Sequence, residues 1–149
     1  MSEKFDETVT KIEAAIKKRR NYPVSVKNSK MVAELMKMYR QPIATKPTLP
    51  TPKVARLRLR MIVSEVWELI VAMWNRDLVE IADALTDILV FVYGMGLTYG
   101  IDLDACFREV HRSNKTKLGY DGEPIYRADG KVMKGPAYQP PNLRKVMGL

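Results

Sequence analysis

Leu78-Val79-Glu80-Ile81-Ala82-Asp83-Ala84-Leu85-Thr86-Asp87-Ile88-Leu89-Val90-Phe91-Val92 is apolar almost throughout, and three acids at 80, 83 and 87 interrupt it. At about 100° per residue those acids share one narrow stripe of a helix. A helix that is apolar on most sides is expected to be buried, and its acidic stripe then needs a partner. Asp77 supplies an N-cap, so the spacing predicts a helix over 78–99.

The segment before it has the same character. Apolar positions 54, 57, 61, 62, 66, 69, 70 and 73 form a helical stripe that predicts a helix over 53–74. It carries Ser64-Glu65-Val66-Trp67-Glu68, a second acid pair three residues apart. Only Asn75-Arg76-Asp77 separates the two helices. If they fold back on each other, Glu65, Glu68, Glu80 and Asp83 converge. Four carboxylates at close quarters require a cation, and hard oxygen ligands suit Mg²⁺ or Mn²⁺. The same acids could instead be solvated, and Glu80 could be the reciprocal glutamate of a capping box begun by Asp77. Arg58 lies two turns before Glu65 on the same face. There it could meet a phosphate or pair with one of the acids.

Three further helices are expected: an amphipathic one over 5–20, a second over 28–40 and a last one over 102–114. Gln41 to Pro52, with prolines at 42, 47, 50 and 52, reads as an irregular surface connection. The tail from 118 to 149 reads as irregular. Within it Ile125-Tyr126-Arg127 and Lys131-Val132-Met133 flank an Asp-Gly pair and suggest a small β-hairpin. The architecture is therefore all-α, a bundle of about five helices in one domain over 1–149.

Composition narrows the function. The 149 residues carry 25 Lys+Arg against 17 Asp+Glu, a net charge of +8, which would suit any polyanion. The acids, however, gather in the middle of the chain and the bases at both ends, as in Lys17-Lys18-Arg19-Arg20. That distribution does not suit a duplex-binding strip, so the charge is a weak argument for nucleic acid, and a phosphorylated small molecule is also a polyanion. A basic, non-catalytic helical module binding nucleic acid or a protein is the alternative. One cysteine, Cys106, allows no internal disulfide, and no Cys/His set spells a zinc site. The apolar stretch 88–99 is too short to span a bilayer, and a cytoplasmic location is expected.

Leu57-Arg58-Leu59-Arg60-Met61-Ile62-Val63-Ser64-Glu65-Val66-Trp67-Glu68-Leu69 and Asp77-Leu78-Val79-Glu80-Ile81-Ala82-Asp83-Ala84-Leu85-Thr86-Asp87 together resemble the all-α nucleoside triphosphate pyrophosphatases. That superfamily includes MazG, dimeric dUTPases and phosphoribosyl-ATP pyrophosphohydrolase. Its signature is Glu-Glu-x-x-Glu and then, after a short gap, Glu-x-x-Asp. Val110 to Gly119 and Asp121 to Tyr126 are similar to the tail of a phage and bacterial branch, so the resemblance runs from about 31 to 141. The helix within 1–27 lies outside it.

The resemblance implies hydrolysis of an NTP or dNTP between its α and β phosphates, with Mg²⁺ (or Mn²⁺) held by Glu65, Glu68, Glu80 and Asp83. With such an ion, a carboxylate among Glu65, Glu68 and Asp87 could take the proton of the attacking water, and the family analogy makes Asn114, Lys115 and Lys117 candidates for gripping the substrate beside Arg58. A homodimer or homotetramer is implied as well. Ser64 stands where the signature has its first glutamate, which bears on rate and metal count more than on the site itself.

Overall fold

The computed structural model describes residues 27–149, and the helix expected over 5–20 lies outside them. Five helices are described: α1 (Asn28–Met38), α2 (Pro52–Asn75), α3 (Leu78–Tyr99), α4 (Leu103–Lys115) and α5 (Leu143–Met147). The fold is all-α, as the apolar periodicities require.

Helix ends obey local chemistry. Pro52 occupies the first turn of α2, where its missing N–H costs no bond, and Thr51 is the N-cap. Arg76 then takes a left-handed conformation (φ 55°) and ends α2. The Asp77 carboxylate accepts from the N–H groups of Val79 (2.9 Å) and Glu80 (3.2 Å) and starts α3. The Asp77 N–H itself bonds to Ala72 O (3.1 Å), which leaves the Glu80 side chain free of a capping duty. Gly100 ends α3 at φ 66°, where a Cβ would fall 2.1 Å from Lys46 O, so only glycine fits. Asp102 caps α4 through Ala105 N (2.9 Å).

α2 and α3 form an antiparallel hairpin through the two-residue connection Arg76–Asp77, and α1 packs across α3. The buried residues of α2 are Arg58, Glu65 and Ala72, seven apart, so the seam runs down one face of the helix. α3 answers with small groups, its buried residues being Ala84, Gly94, Gly96 and Thr98. Val32 and Met36 of α1 cover the Gly94 end.

The connection from 41 to 51, expected as a free surface loop, is pinned to the end of α3. Ala44 N bonds to Leu97 O (2.9 Å) and Thr48 N to Tyr99 O (3.0 Å), which satisfies carbonyls the helix end would otherwise leave unpaired.

Two further expectations are corrected. α3 is not buried on most sides: Leu78 and Val79 are 77% and 75% exposed, because among the described helices only α1 and α2 pack extensively against it. The tail beyond Pro136 is not wholly irregular, since Asn142 caps the short α5 through Lys145 N (3.0 Å). The small hairpin is present as pairing without regular strands. Tyr126 bridges Val132 across a turn in which Gly130 has φ 84°, and Met133 N bonds to Ile125 O (2.7 Å).

Candidate active site

Because the α2–α3 turn is so short, both acid pairs come to the same end of the helical hairpin. Glu68 and Glu80 line one cavity of about 260 Å³, with Trp67, Asn75 and Asp77 on its wall. Glu65 sits deeper in the seam, 9% exposed. Burial pushes its carboxyl above the usual range, and the negative charges of Glu68, Asp87 and Asp83 push it the same way. Asp83 is exposed and Asp87 half-buried. Glu65, Glu68, Asp83 and Asp87 thus share one electrostatic neighbourhood, and Glu80 adjoins it through the cavity it lines with Glu68. Their side chains are not drawn around a single point: among the described residues no group of three His, Cys, Asp or Glu side chains is arranged to hold a metal ion.

Ser64, in place of the signature's first glutamate, turns back on its own helix and donates to Met61 O (2.8 Å). Trp67 and Trp74 are 66% and 87% exposed, so neither belongs to the core formed by the described residues.

Arg58 is elsewhere. It is 4% exposed, and Nε donates to Thr98 Oγ1 and Nη2 to Gln41 Oε1, both at 3.0 Å. Its partners are neutral, and burial lowers the guanidinium pKa. The side chain ties α2, α3 and the 41–51 connection together two turns below the acids, so the structure does not bring it to the carboxylate cavity.

Asn114, Lys115 and Lys117 lie at the far end of α4. That helix makes no extended contact with α2 or α3, and among the helices it packs against α5. The structure therefore groups these three with the tail rather than with the acids. Arg112 is committed there: with Glu109 it forms a two-pronged ion pair (2.8 and 2.9 Å) and it also donates to Gln139 Oε1 (3.1 Å) and Pro140 O (3.2 Å). Glu109 accepts from Asn142 N as well (2.7 Å), and these donors, Arg112 foremost, hold its carboxyl down at about 2.

Sequence reasoning gave no place to Asp104. Its carboxylate accepts from Ser29 Oγ (2.5 Å) and Tyr93 Oη (3.0 Å), joining α1, α3 and α4 beside a cavity of about 360 Å³. The Ser29 bond pulls Asp104 below the usual carboxylate range, while burial pushes the Tyr93 phenol up. An aspartate in the first turn of a helix signals only dipole pairing, so nothing in the sequence pointed to this knot.

Comparison with known proteins agrees with the motifs. A protein of Acanthamoeba polyphaga mimivirus, described as "Uncharacterized protein L479", is 41% identical over 83 residues. Those residues are 56% of this chain and 31% of that protein, so the chain spans under a third of this relative's length. The crystal structure of a protein from Exiguobacterium sp. 255-15, assigned as an NTP pyrophosphohydrolase, is 26% identical with a TM-score of 0.45, covering 80% of this chain and 94% of that one. No described helix is long and apolar enough to cross a membrane. Residues 32–114, more than half of the chain and inclusive of both acidic motifs, match the family described as phosphoribosyl-ATP pyrophosphohydrolase, and the chain belongs to that family.

Proposed function

We propose that this chain hydrolyses a nucleoside or deoxynucleoside triphosphate between the α and β phosphates, releasing the monophosphate and pyrophosphate. The observation that carries the reading is the clustering of Glu65, Glu68, Asp83 and Asp87 with Glu80 at one end of the α2–α3 hairpin. A buried carboxyl such as that of Glu65, with further acids around it, is costly in its charged form unless a cation or a proton offsets it.

The donor set suits Mg²⁺, or Mn²⁺, because every candidate ligand is a carboxylate oxygen. Glu65, Glu68, Glu80 and Asp83 are the residues that would hold it. When bound, such an ion neutralises phosphate charge and acidifies a coordinated water. In this reading Asp87, half-buried and near enough for its charge to be felt by Glu65, accepts the proton as water oxygen bonds to the α phosphorus and the α–β bridging P–O bond breaks. The substrate's negative charge also accounts for a basic chain that keeps its acids in one place. A role in clearing nucleotides from the cellular pool fits this chemistry.

The test is a panel of NTPs, dNTPs and dUTP with Mg²⁺, read for pyrophosphate against phosphate, with Glu68→Ala alongside. Pyrophosphate release that the variant abolishes is the expected result. Turnover unchanged by Glu68→Ala would remove the carboxylates from the reaction. A chain that neither turns over nucleotide nor binds Mg²⁺ or Mn²⁺ would leave the basic helical binding module as the better reading.

A further inference from the structure

The cleft of about 360 Å³ beside Asp104 is lined by no residue of either acid pair. Its walls are held by bonds already in place. Ser29 Oγ and Tyr93 Oη tie α1 and α3 to α4 through Asp104, and Ala44 N on Leu97 O ties in the 41–51 connection. A pocket framed before its ligand arrives gives up little order on binding. The rise along α3 from Asp83 to Leu97 is about 21 Å. Tyr93, Leu97 and Gly100, which line the cleft, also lie about a quarter turn around α3 from Glu80, Asp83 and Asp87. The cleft and the acids are therefore separate places on one helix.

Its lining states what fits. Leu97, Ile101 and Leu103 make an apolar floor, and the small side chains of Ala33 and Ala44 leave room above it for a flat ring. Lys27 and Lys30 stand at the exposed rim. Lys27 also lines an adjoining cavity with Arg108, Tyr93 and Asp104. Among the described residues none of these three cations forms an ion pair. The two carboxylates of the cleft are engaged, Asp102 by Ala105 N (2.9 Å) and Asp104 by Ser29 and Tyr93. A carboxylate offers about four acceptor positions, so Asp104, with two donors among the described residues, can take one more.

We infer that this cleft is a second ligand site, fitted to a phosphate monoester that carries a flat, nitrogen-containing ring. The ring lies on Leu97, Ile101 and Leu103, an amine of the ring donates to Asp104, and the phosphate takes Lys27 and Lys30. A nucleoside monophosphate has this chemistry. Such a site stands with or without the hydrolase reading, because none of the acids of that reading lines the cleft.

The test is titration calorimetry of the full chain with AMP in EDTA, so that no metal-dependent site contributes. One AMP per chain is expected, bound about 10-fold or more tighter than ribose 5-phosphate, which keeps the phosphate but lacks the ring. Lys30→Glu, at the exposed rim, should weaken AMP about 10-fold or more, and Ala33→Leu, which fills the floor, should do the same. Glu68→Ala should bind AMP as wild type does. No binding at millimolar AMP, affinity that Lys30→Glu leaves unchanged, or equal affinity for ribose 5-phosphate overturns the site. So does binding that Glu68→Ala abolishes, since the ligand would then sit at the acids. A wild type that binds AMP in this way but turns over no nucleotide would sink the hydrolase reading and leave the second site standing.

Discussion

Arg58 and Thr98, forty residues apart in sequence, are joined by a 3.0 Å hydrogen bond across the buried face between α2 and α3. Thr98 Oγ1 in turn donates to Gly94 O (2.9 Å), so the guanidinium faces a hydroxyl already oriented by its own helix. The second Arg58 bond, to Gln41, extends the same tie to the segment that caps α3.

Removing that side chain leaves Thr98 and Gln41 without a shared donor and opens a cavity beside Gly94. Arg58→Ala should lower stability by about 2–3 kcal/mol. Arg58→Lys should recover little, because an ammonium cannot reproduce the planar fork. Urea midpoints of the three proteins are the measurement. A lysine variant as stable as wild type would show that charge, not geometry, matters here.

At the other end of the seam, Asp77→Ala removes the acceptor for two backbone N–H groups of α3. The expected cost is about 1 kcal/mol, and Asp77→Asn should recover most of it. Since this cap also sets Glu80 in place, KM should rise in the alanine variant before kcat falls. Equal loss in both would argue against a positioning role.

Chelation is expected to abolish turnover reversibly, with Mg²⁺ restoring it. Glu80→Gln, which keeps shape but loses charge, should lower kcat/KM by roughly 100-fold or more. An apparent Mg²⁺ requirement unaffected by Glu80→Gln would remove Glu80 from the ligand set.

The tail clamp should respond to acid. Glu109 titrates at about 2 in the folded protein against an ordinary value of 4.5, so its stabilising contribution is complete above pH 4.5. As the pH falls towards 2 that contribution is lost, because the unfolded chain takes up the proton first. The thermal midpoint of wild type should therefore exceed that of Glu109→Gln at neutral pH and converge with it near pH 2. A gap that persists at the acid end would mean that Glu109 holds the tail by more than its charge.

Gly100→Ala should destabilise more than an ordinary exposed substitution, because it combines a left-handed backbone with a collision against Lys46 O. A loss of at least about 1 kcal/mol is expected, measured by denaturant unfolding.

The helices were legible because their signals are local. Asp77 and Asp102 mark the starts of α3 and α4, and the apolar stripe of α2 runs its whole length. The grouping of the acid pairs came from the brevity of the turn alone. Other features had no local signal. Arg76 adopts a conformation that glycine usually announces, and α5 is five residues long behind two prolines. The backbone bonds from Ala44 and Thr48 leave no mark on side-chain identity. Arg58 faces the seam as its spacing from Glu65 requires, but its partners lie on elements distant in sequence. Periodicity read α3 as buried, whereas covering its outer apolar side chains takes more helix than the described part of one chain supplies.

The connection at Arg76–Asp77 has a kinetic consequence. Glu65 and Asp87 are twenty-two positions apart, so closing the chain between them requires only a small loop entropy. Helical hairpins with contacts this near in sequence assemble quickly. The acidic neighbourhood can therefore take shape on a nascent or partly folded chain before the C-terminal tail has been made. Selection for activity can then act on a segment of some two dozen residues that organises itself.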